Sequence, residues 1–353
     1  MIQATSVTVA QLADFDEIID VRSPSEFRED HIPGAINFPV LSDDERAHVG
    51  TVYKQISAFD AKKIGAAIVA RNIATHIDQY FSSKPKNWRP LIYCWRGGGR
   101  SGAMAHILNQ IGWRTGKLEG GYKNYRRTVL NELEILPAKF QYWVICGLTG
   151  SGKSRLLQAF DKLGAQVLDL EQLAAHRGSV LGNIPETSQP PQKLFDSSVW
   201  WKLRQFDPSR PVFIEAESKK VGNIRVPEAL IQAMWQGQCI RIDISREQRI
   251  ELLKEEYAHF LENPDALNKK LDFLTGIYGH EQISEWKAMA QAGKWDTLVL
   301  ALLERHYDPA YTKSMLKHYP NYDSGIALQV SDIKDAGMNT LALHVLHQKL
   351  IKN

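Results

Sequence analysis

Only three cysteines occur in 353 residues, Cys94, Cys146 and Cys239, widely spaced and with no CxxC pair. Neither a disulfide framework nor a zinc site is expected to organise the chain, which leaves room for one reactive thiol. No stretch reaches the ~18 uninterrupted apolar residues of a membrane helix, and the N-terminus lacks the basic-then-apolar layout of a signal segment. A soluble, cytoplasmic protein is expected. Charge of one sign is missing too: Lys plus Arg exceeds Asp plus Glu by three, 43 against 40. Any nucleic-acid surface must therefore be a local basic patch. Internal repeats, low-complexity tracts and long charge runs are absent. What is present is a chain 44% apolar and 24% charged, able to bury substantial cores in about two domains.

The first half reads as α/β. Residues 17–22 form a short buried strand before the turn Ser23-Pro24, and Ala35–Phe38 follows the turn Pro33-Gly34. A helix-like stretch near 62–82 leads to the β-rich run Leu91-Ile92-Tyr93, and 101–111 carries apolar residues at helical spacing with Gly112 as its cap. Near Leu136-Pro137 the pattern restarts, giving domains of 1–135 and 136–353. Strand candidates at 142–146, 165–169, 211–215, 239–244 and 326–330 alternate with helices and imply a doubly wound parallel sheet. The charged, aromatic-rich region 246–320 reads as a mostly helical insertion, placed like a lid.

Gly147-Leu-Thr149-Gly150-Ser151-Gly152-Lys153-Ser154 fits GxxxxGK[ST] between a strand and a helix. The glycines let backbone N–H groups converge on a di- or triphosphate. Lys153 adds a cation, Ser154 is placed to hold Mg²⁺, and the helix N-terminus adds partial positive charge. Glu215, with Glu217 behind it, stands where a strand-end acid accompanies such a loop. Asp169 and Glu171 follow the preceding strand as candidate acid/base or Mg²⁺-associated groups. Arg177 is a candidate phosphate clamp and, equally, an ordinary surface arginine.

Cys94-Trp-Arg96-Gly97-Gly98-Gly99-Arg100-Ser101 also joins a strand to a helix. Three consecutive glycines free the backbone to aim N–H groups at one point above the thiol. Arg96, Arg100 and the helix dipole make that point electropositive and should lower the thiol pKa. The CxxxxxR spacing admits phosphoester hydrolysis or chalcogen transfer. Tyr93 rather than histidine before the cysteine, and no evident acid nearby, weaken the hydrolytic reading. Cys146 and Cys239 lie in apolar strands as inert core.

Asp20-Val-Arg-Ser-Pro-Ser-Glu26-Phe27 and His31-Ile-Pro-Gly-Ala-Ile-Asn37 are similar to the opening signature of rhodanese domains, with Cys94 at the sulfur-carrying position. A rhodanese-like domain joined to a P-loop NTPase-like domain resembles the tRNA 2-selenouridine synthases. Leu168–Glu171, His176–Ser179, Ile214–Lys220 and His306–Tyr311 extend the likeness over nearly the whole chain. The resemblance implies replacement of sulfur by selenium at C2 of a wobble 2-thiouridine in tRNA. The sulfur is first S-geranylated from geranyl diphosphate, then displaced with selenium from selenophosphate. Cys94 would carry selenium as an S-selanylcysteine, the P-loop would hold geranyl diphosphate, and no tightly bound cofactor is implied. A selenophosphate-supplying protein fits as a partner. The seven-residue span from Cys94 to Arg100, against six in common sulfurtransferases, suits a tetrahedral phosphate-like donor. A rival reading is an ATP-dependent tRNA sulfurtransferase or kinase. A non-enzymatic one is a phosphate-sensing RNA-binding module.

Transfer RNA requires a basic, aromatic-bearing face. The candidates are Lys123, Arg126 and Arg127 beside Tyr122 and Tyr125, then Lys219 and Lys220, then Arg246 and Arg249. Trp286 and Trp295 read as helix packing rather than a base platform.

Overall fold

A computed structural model describes the backbone of residues 4–350 and the side chains of 4–347. The chain separates into two compact units. One runs to Glu132 and also takes in Pro190–Trp201; the other comprises Leu133–Gln189 and the chain from Lys202 onward. The division is therefore not the single cut near residue 135 that the sequence suggests.

In the first unit five parallel strands, β1 (Thr5–Val7), β2 (Glu17–Asp20), β3 (Ile36–Asn37), β4 (Pro90–Tyr93) and β5 (Gly116–Leu118), lie in the order β1-β5-β4-β2-β3. The central β4 is buried along its whole length, as its Leu-Ile-Tyr run requires of a parallel strand covered on both faces. Its C-terminal end delivers Cys94 into the loop before the helix Gly99–Ile111. Met104, Ala105 and Leu108 of that helix pack on the sheet, and Gly112, at φ 115°, ends it. The helix expected near 62–82 spans Ala58–Gln79, because the Ser57 hydroxyl accepts from the N–H groups of Phe59 and Asp60 and so starts it earlier. The segment Pro190–Trp201 is fixed within this unit by the ion pairs Arg126–Asp196 and Lys193–Glu29 and by the Trp200 indole donating to Glu132.

The second unit is also a five-stranded parallel sheet. β6 (Tyr142–Cys146), β7 (Gln166–Leu168), β8 (Val212–Glu215), β11 (Gln238–Asp243) and β12 (Ile326–Gln329) run in the order β12-β11-β6-β8-β7, with a small antiparallel hairpin of β9 (Lys220–Val221) and β10 (Ile224–Arg225) apart. Strand order reverses on either side of β6, which makes its C-terminal edge the crevice where doubly wound sheets bind ligands. Leu156, Leu157 and Phe160 of the helix Lys153–Lys162 close the core against this sheet. Between β11 and β12 lies the expected helical insertion, with six α-helices between Arg246 and His318 and a π-turn at Leu303–Tyr307. It has its own core, in which Trp286 is fully buried among Leu267, Leu271, Ile283 and Leu298. Among the described residues no helix is long and apolar enough to cross a membrane.

Candidate active sites

In the first unit, Cys94 is buried and its Sγ lies 3.2 Å from the Ser101 hydroxyl. Burial alone pushes the thiol up. The hydroxyl and backbone N–H of Ser101, the backbone N–H of Arg96 and the charge of Arg100 outweigh it, and the thiol sits below its ordinary value. The direction is the expected one, but Ser101 is the foremost of the groups that lower it. Arg100 is not an unpaired cation. Its guanidinium donates to Glu26 at 2.8 Å, and Glu26 also pairs with Arg46 at 3.1 Å. An acid does therefore stand at this loop, contrary to the sequence expectation. Burial would raise the Glu26 carboxyl, yet its hydrogen bonds to Arg100 and Ser23 hold it below the usual range, so it is a charge partner rather than a proton donor.

The loop is closed from the far side by the start of the helix Gly121–Ile135. Tyr122 N–H donates to the Cys94 carbonyl and Lys123 N–H to the Trp95 carbonyl, each at 2.9 Å. Gly121, at φ 59°, permits this approach, since a Cβ there would come within 2.3 Å of the Cys94 carbonyl oxygen. Gly97, Gly98 and Gly99 form the rest of the cradle, and the Arg96 side chain is exposed. Sequence reasoning missed the roles of Gly121 and Ser101; the Arg-Ser ending of the loop was the available signal for the second.

In the second unit the P-loop follows β6. Lys153 Nζ donates to the Gly147 carbonyl at 2.9 Å and lies over the Tyr311 ring, whose hydroxyl accepts from Gly147 N–H at 2.7 Å. Gly150 and Gly152 take positive φ, 76° and 79°. A Cβ on Gly150 would strike Leu253 of the helix Arg246–Glu256, so the glycine lets the insertion pack directly on the loop. Arg249 cements that contact: buried, it donates to the Thr149 carbonyl at 2.9 Å and pairs with Asp308 at 2.5 Å. It is a strut of the loop and not part of an open basic face.

Beside Lys153, the carboxylates of Glu171, Glu215 and Glu217 converge, one oxygen of each within 4.8 Å of the others. Burial pushes all three upward; Glu171 is raised further by the charges of Glu215 and Glu217, and Lys153 opposes the rise in each. Glu215 is 4% exposed, hydrogen-bonds Ser154 through its side chain, and keeps Oε1 buried without a protein partner. Hard oxygen donors, surplus negative charge and an orphaned carboxylate oxygen fit a divalent cation such as Mg²⁺. The sequence reading named these acids singly and did not see them as one group. Two other candidates have different tasks. Asp169 caps the helix Leu170–Ala174 by accepting from Gln172 N–H, and Arg177 donates to the Glu256 carbonyl at 2.7 Å over the Tyr257 ring.

The P-loop also opens onto a cleft that sequence reasoning did not find. Thr149 borders a narrow cleft of about 60 Å³ whose walls include Leu253, Phe260, Leu298, Val299, Leu302 and Tyr307. The π-turn contributes Leu303 and Tyr307 to this wall.

The basic candidates divide by burial and partner. Arg126, mostly buried, donates to the Lys193 carbonyl and to Asp196, so it too is a structural tie rather than an RNA contact. Lys123, Arg127, Lys219, Lys220 and Arg246 are exposed, though Arg127 bonds Asn124, Lys219 pairs with Glu228 and Arg246 with Glu304.

Comparison with known proteins finds a match in each unit. A family described as "tRNA 2-selenouridine synthase AAA domain" matches residues 140–271, and "Rhodanese-like domain" matches residues 6–128. The tRNA 2-selenouridine synthase of Nitrosomonas europaea is 34% identical over 244 residues, covering 68% of this chain and 63% of that protein, just under two thirds of its length. Its counterpart in Aeromonas salmonicida is 30% identical over 327 residues, covering 83% and 86%. That of Hydrogenovibrio crunogenus is 33% identical over 264 residues, covering 70% and 72%.

Proposed function

Because the chain belongs to the tRNA 2-selenouridine synthase family, we propose that it replaces the sulfur of a wobble 2-thiouridine in tRNA with selenium, in two steps at two sites. In the first step the thiocarbonyl sulfur attacks C1 of geranyl diphosphate, the C–O bond breaks, and diphosphate leaves with the electron pair. Alkylation turns a poor leaving group into a good one. In the second, the selenium of selenophosphate attacks C2 at the Cys94 loop, the C–S bond breaks, and the geranylthiolate departs and takes up a proton. Water then attacks phosphorus, the P–Se bond breaks, and phosphate leaves 2-selenouridine.

The observation that carries this reading is the apolar cleft bordered by Thr149. A diphosphate cradled by Gly147–Ser154 would leave its organic group at the mouth of a narrow hydrocarbon-lined space. That space suits a prenyl chain and offers little to the polar edge of a purine. At about 0.8 kcal/mol per buried CH₂, a ten-carbon chain supplies several kcal/mol of binding. Lys153 would stabilise the charge developing on diphosphate. Glu171, Glu215 and Glu217 with Ser154 would hold Mg²⁺, which supplies further neutralisation of that charge.

At the other site, the lowered Cys94 thiol supports a nucleophilic thiolate at the place of selenium transfer. The N–H groups of the glycine loop and the start of the helix Gly99–Ile111 suit the phosphate oxygens of selenophosphate.

Calorimetry with geranyl diphosphate, ATP and inorganic diphosphate tests the carrying observation. Geranyl diphosphate should bind best. Val299→Trp, which fills the cleft, should weaken it at least tenfold while leaving inorganic diphosphate unaffected. ATP binding as tight as geranyl diphosphate, with both indifferent to Val299→Trp, would favour the ATP-dependent sulfurtransferase or kinase instead.

A further inference from the structure

The residue after the nucleophile is out of keeping with its surroundings. Cys94 is buried, yet Trp95 beside it is 41% exposed, which leaves a large apolar ring in water at the edge of an otherwise polar loop. Its main chain is fixed, since the Trp95 carbonyl accepts from Lys123 N–H at 2.9 Å. One side of the indole rests on Tyr122, with ring centroids 5.2 Å apart and planes 32° apart. The Tyr122 ring in turn lies over the buried guanidinium of Arg22, 3.9 Å from its centroid. Arg22 is locked by its pair with Asp20, and the Tyr122 hydroxyl donates to Asp30 at 2.8 Å.

Arg22, Tyr122 and Trp95 thus touch in series, held firmly at Arg22 and exposed at Trp95. Arg96 and Lys123, each a neighbour in sequence of one of the two rings, are exposed. An aromatic surface flanked by cations is the arrangement that holds single-stranded nucleotides, the ring taking the base and the cations the phosphates. Bases of RNA loops are read when unstacked and laid on aromatic side chains.

We propose that Trp95 is the stacking platform for the acceptor nucleobase in the selenium-transfer step, with Arg96 and Lys123 contacting the flanking phosphates. This rests on the two-step reading above and adds to it the residue that positions the base over Cys94. Trp95 is a positioning residue: it holds the pyrimidine so that C2 faces the chalcogen, and it takes no part in bond making.

The test uses the full chain and a tRNA anticodon stem-loop carrying S-geranyl-2-thiouridine. Calorimetric affinity and the selenation KM and kcat are compared for wild type, Trp95→Ala and Trp95→Phe. Base–aromatic stacking of about 1–3 kcal/mol corresponds to an affinity loss of about 5- to 150-fold for Trp95→Ala. KM should rise in step, kcat should change less than about threefold, and Trp95→Phe should recover most of the loss. The iodoacetamide alkylation profile of Cys94 should be unchanged in both variants. Unchanged affinity in Trp95→Ala, an equal loss in Trp95→Phe, or a loss accompanied by a shifted thiol profile would each overturn the proposal. In the last case Trp95 merely holds the loop. The binding arm decides these outcomes without turnover, so wild-type protein that binds the stem-loop but forms no 2-selenouridine would count against the two-step reading alone.

Discussion

At the scale of single residues, the Cys94 thiol owes its low pKa chiefly to short-range donors rather than to the two arginines of its loop. The Ser101 hydroxyl leads the groups that oppose burial, and Arg100 shares its charge with Glu26. Ser101→Ala should therefore raise the thiol pKa and slow alkylation of Cys94 near neutral pH, measured as rate against pH with iodoacetamide. A profile superimposed on that of the wild type would contradict this assignment. Residue type was legible here and partnership was not. The pattern that marks Cys94, Lys153 and Glu215 is local in sequence. Arg249 reads as one more surface arginine until its partner Asp308, 59 positions away, is brought to it. Arg126 misleads in the same way, because Asp196 lies 70 positions on. Ion pairs of that span leave no periodic or motif signal.

At the scale of elements, the parallel strands were the most legible part. β6 falls on its expected residues, and β7, β8, β11 and β12 each begin or end within one residue of expectation. Buried strands announce themselves as apolar runs ending at a glycine or an acid. The apolar cleft was not legible. Its wall draws residues from several short helices and a π-turn, and no single helix carries a pattern separating cleft from core. The joint between the Cys94 loop and the helix Gly121–Ile135 also depends on distant parts of the sequence. Its weak point is Gly121, where a Cβ would both force a positive φ on alanine and collide with the Cys94 carbonyl. Gly121→Ala should displace that loop, cutting selenation at least a hundredfold while geranyl diphosphate binding at the P-loop stays within about twofold. Nucleoside analysis and calorimetry check the two halves. Full selenation by this variant would show that the helix does not set the loop.

At the scale of the whole molecule, the two candidate sites lie on parallel sheets of the same class, and the first unit has a pH signature of its own. In the first unit burial raises the Asp30 carboxyl to about 6, against the opposing influence of the nearby Ser197 hydroxyl, the hydrogen bond from Tyr122 and the charges of Arg126 and Arg22. An unfolded Asp titrates near 3.9. Between those values the folded form binds more protons, so this contribution to stability is fully present below about pH 4 and is lost as pH rises through 6. Wild type should lose up to about 3 kcal/mol relative to Asp30→Asn between pH 4 and 7, read as the difference in urea midpoints. A difference constant with pH would contradict the assignment. The central claim, that a prenyl diphosphate site and a chalcogen site act in sequence, is tested most directly by nucleoside mass spectrometry. The assay takes 2-thiouridine tRNA with the protein, Mg²⁺, geranyl diphosphate and selenophosphate. Wild type should yield 2-selenouridine, Cys94→Ala should stop at the geranylated nucleoside, and Lys153→Ala should leave 2-thiouridine untouched. Formation of 2-selenouridine by Lys153→Ala at the wild-type rate, or unchanged 2-thiouridine from folded wild type that binds the tRNA, would contradict the account.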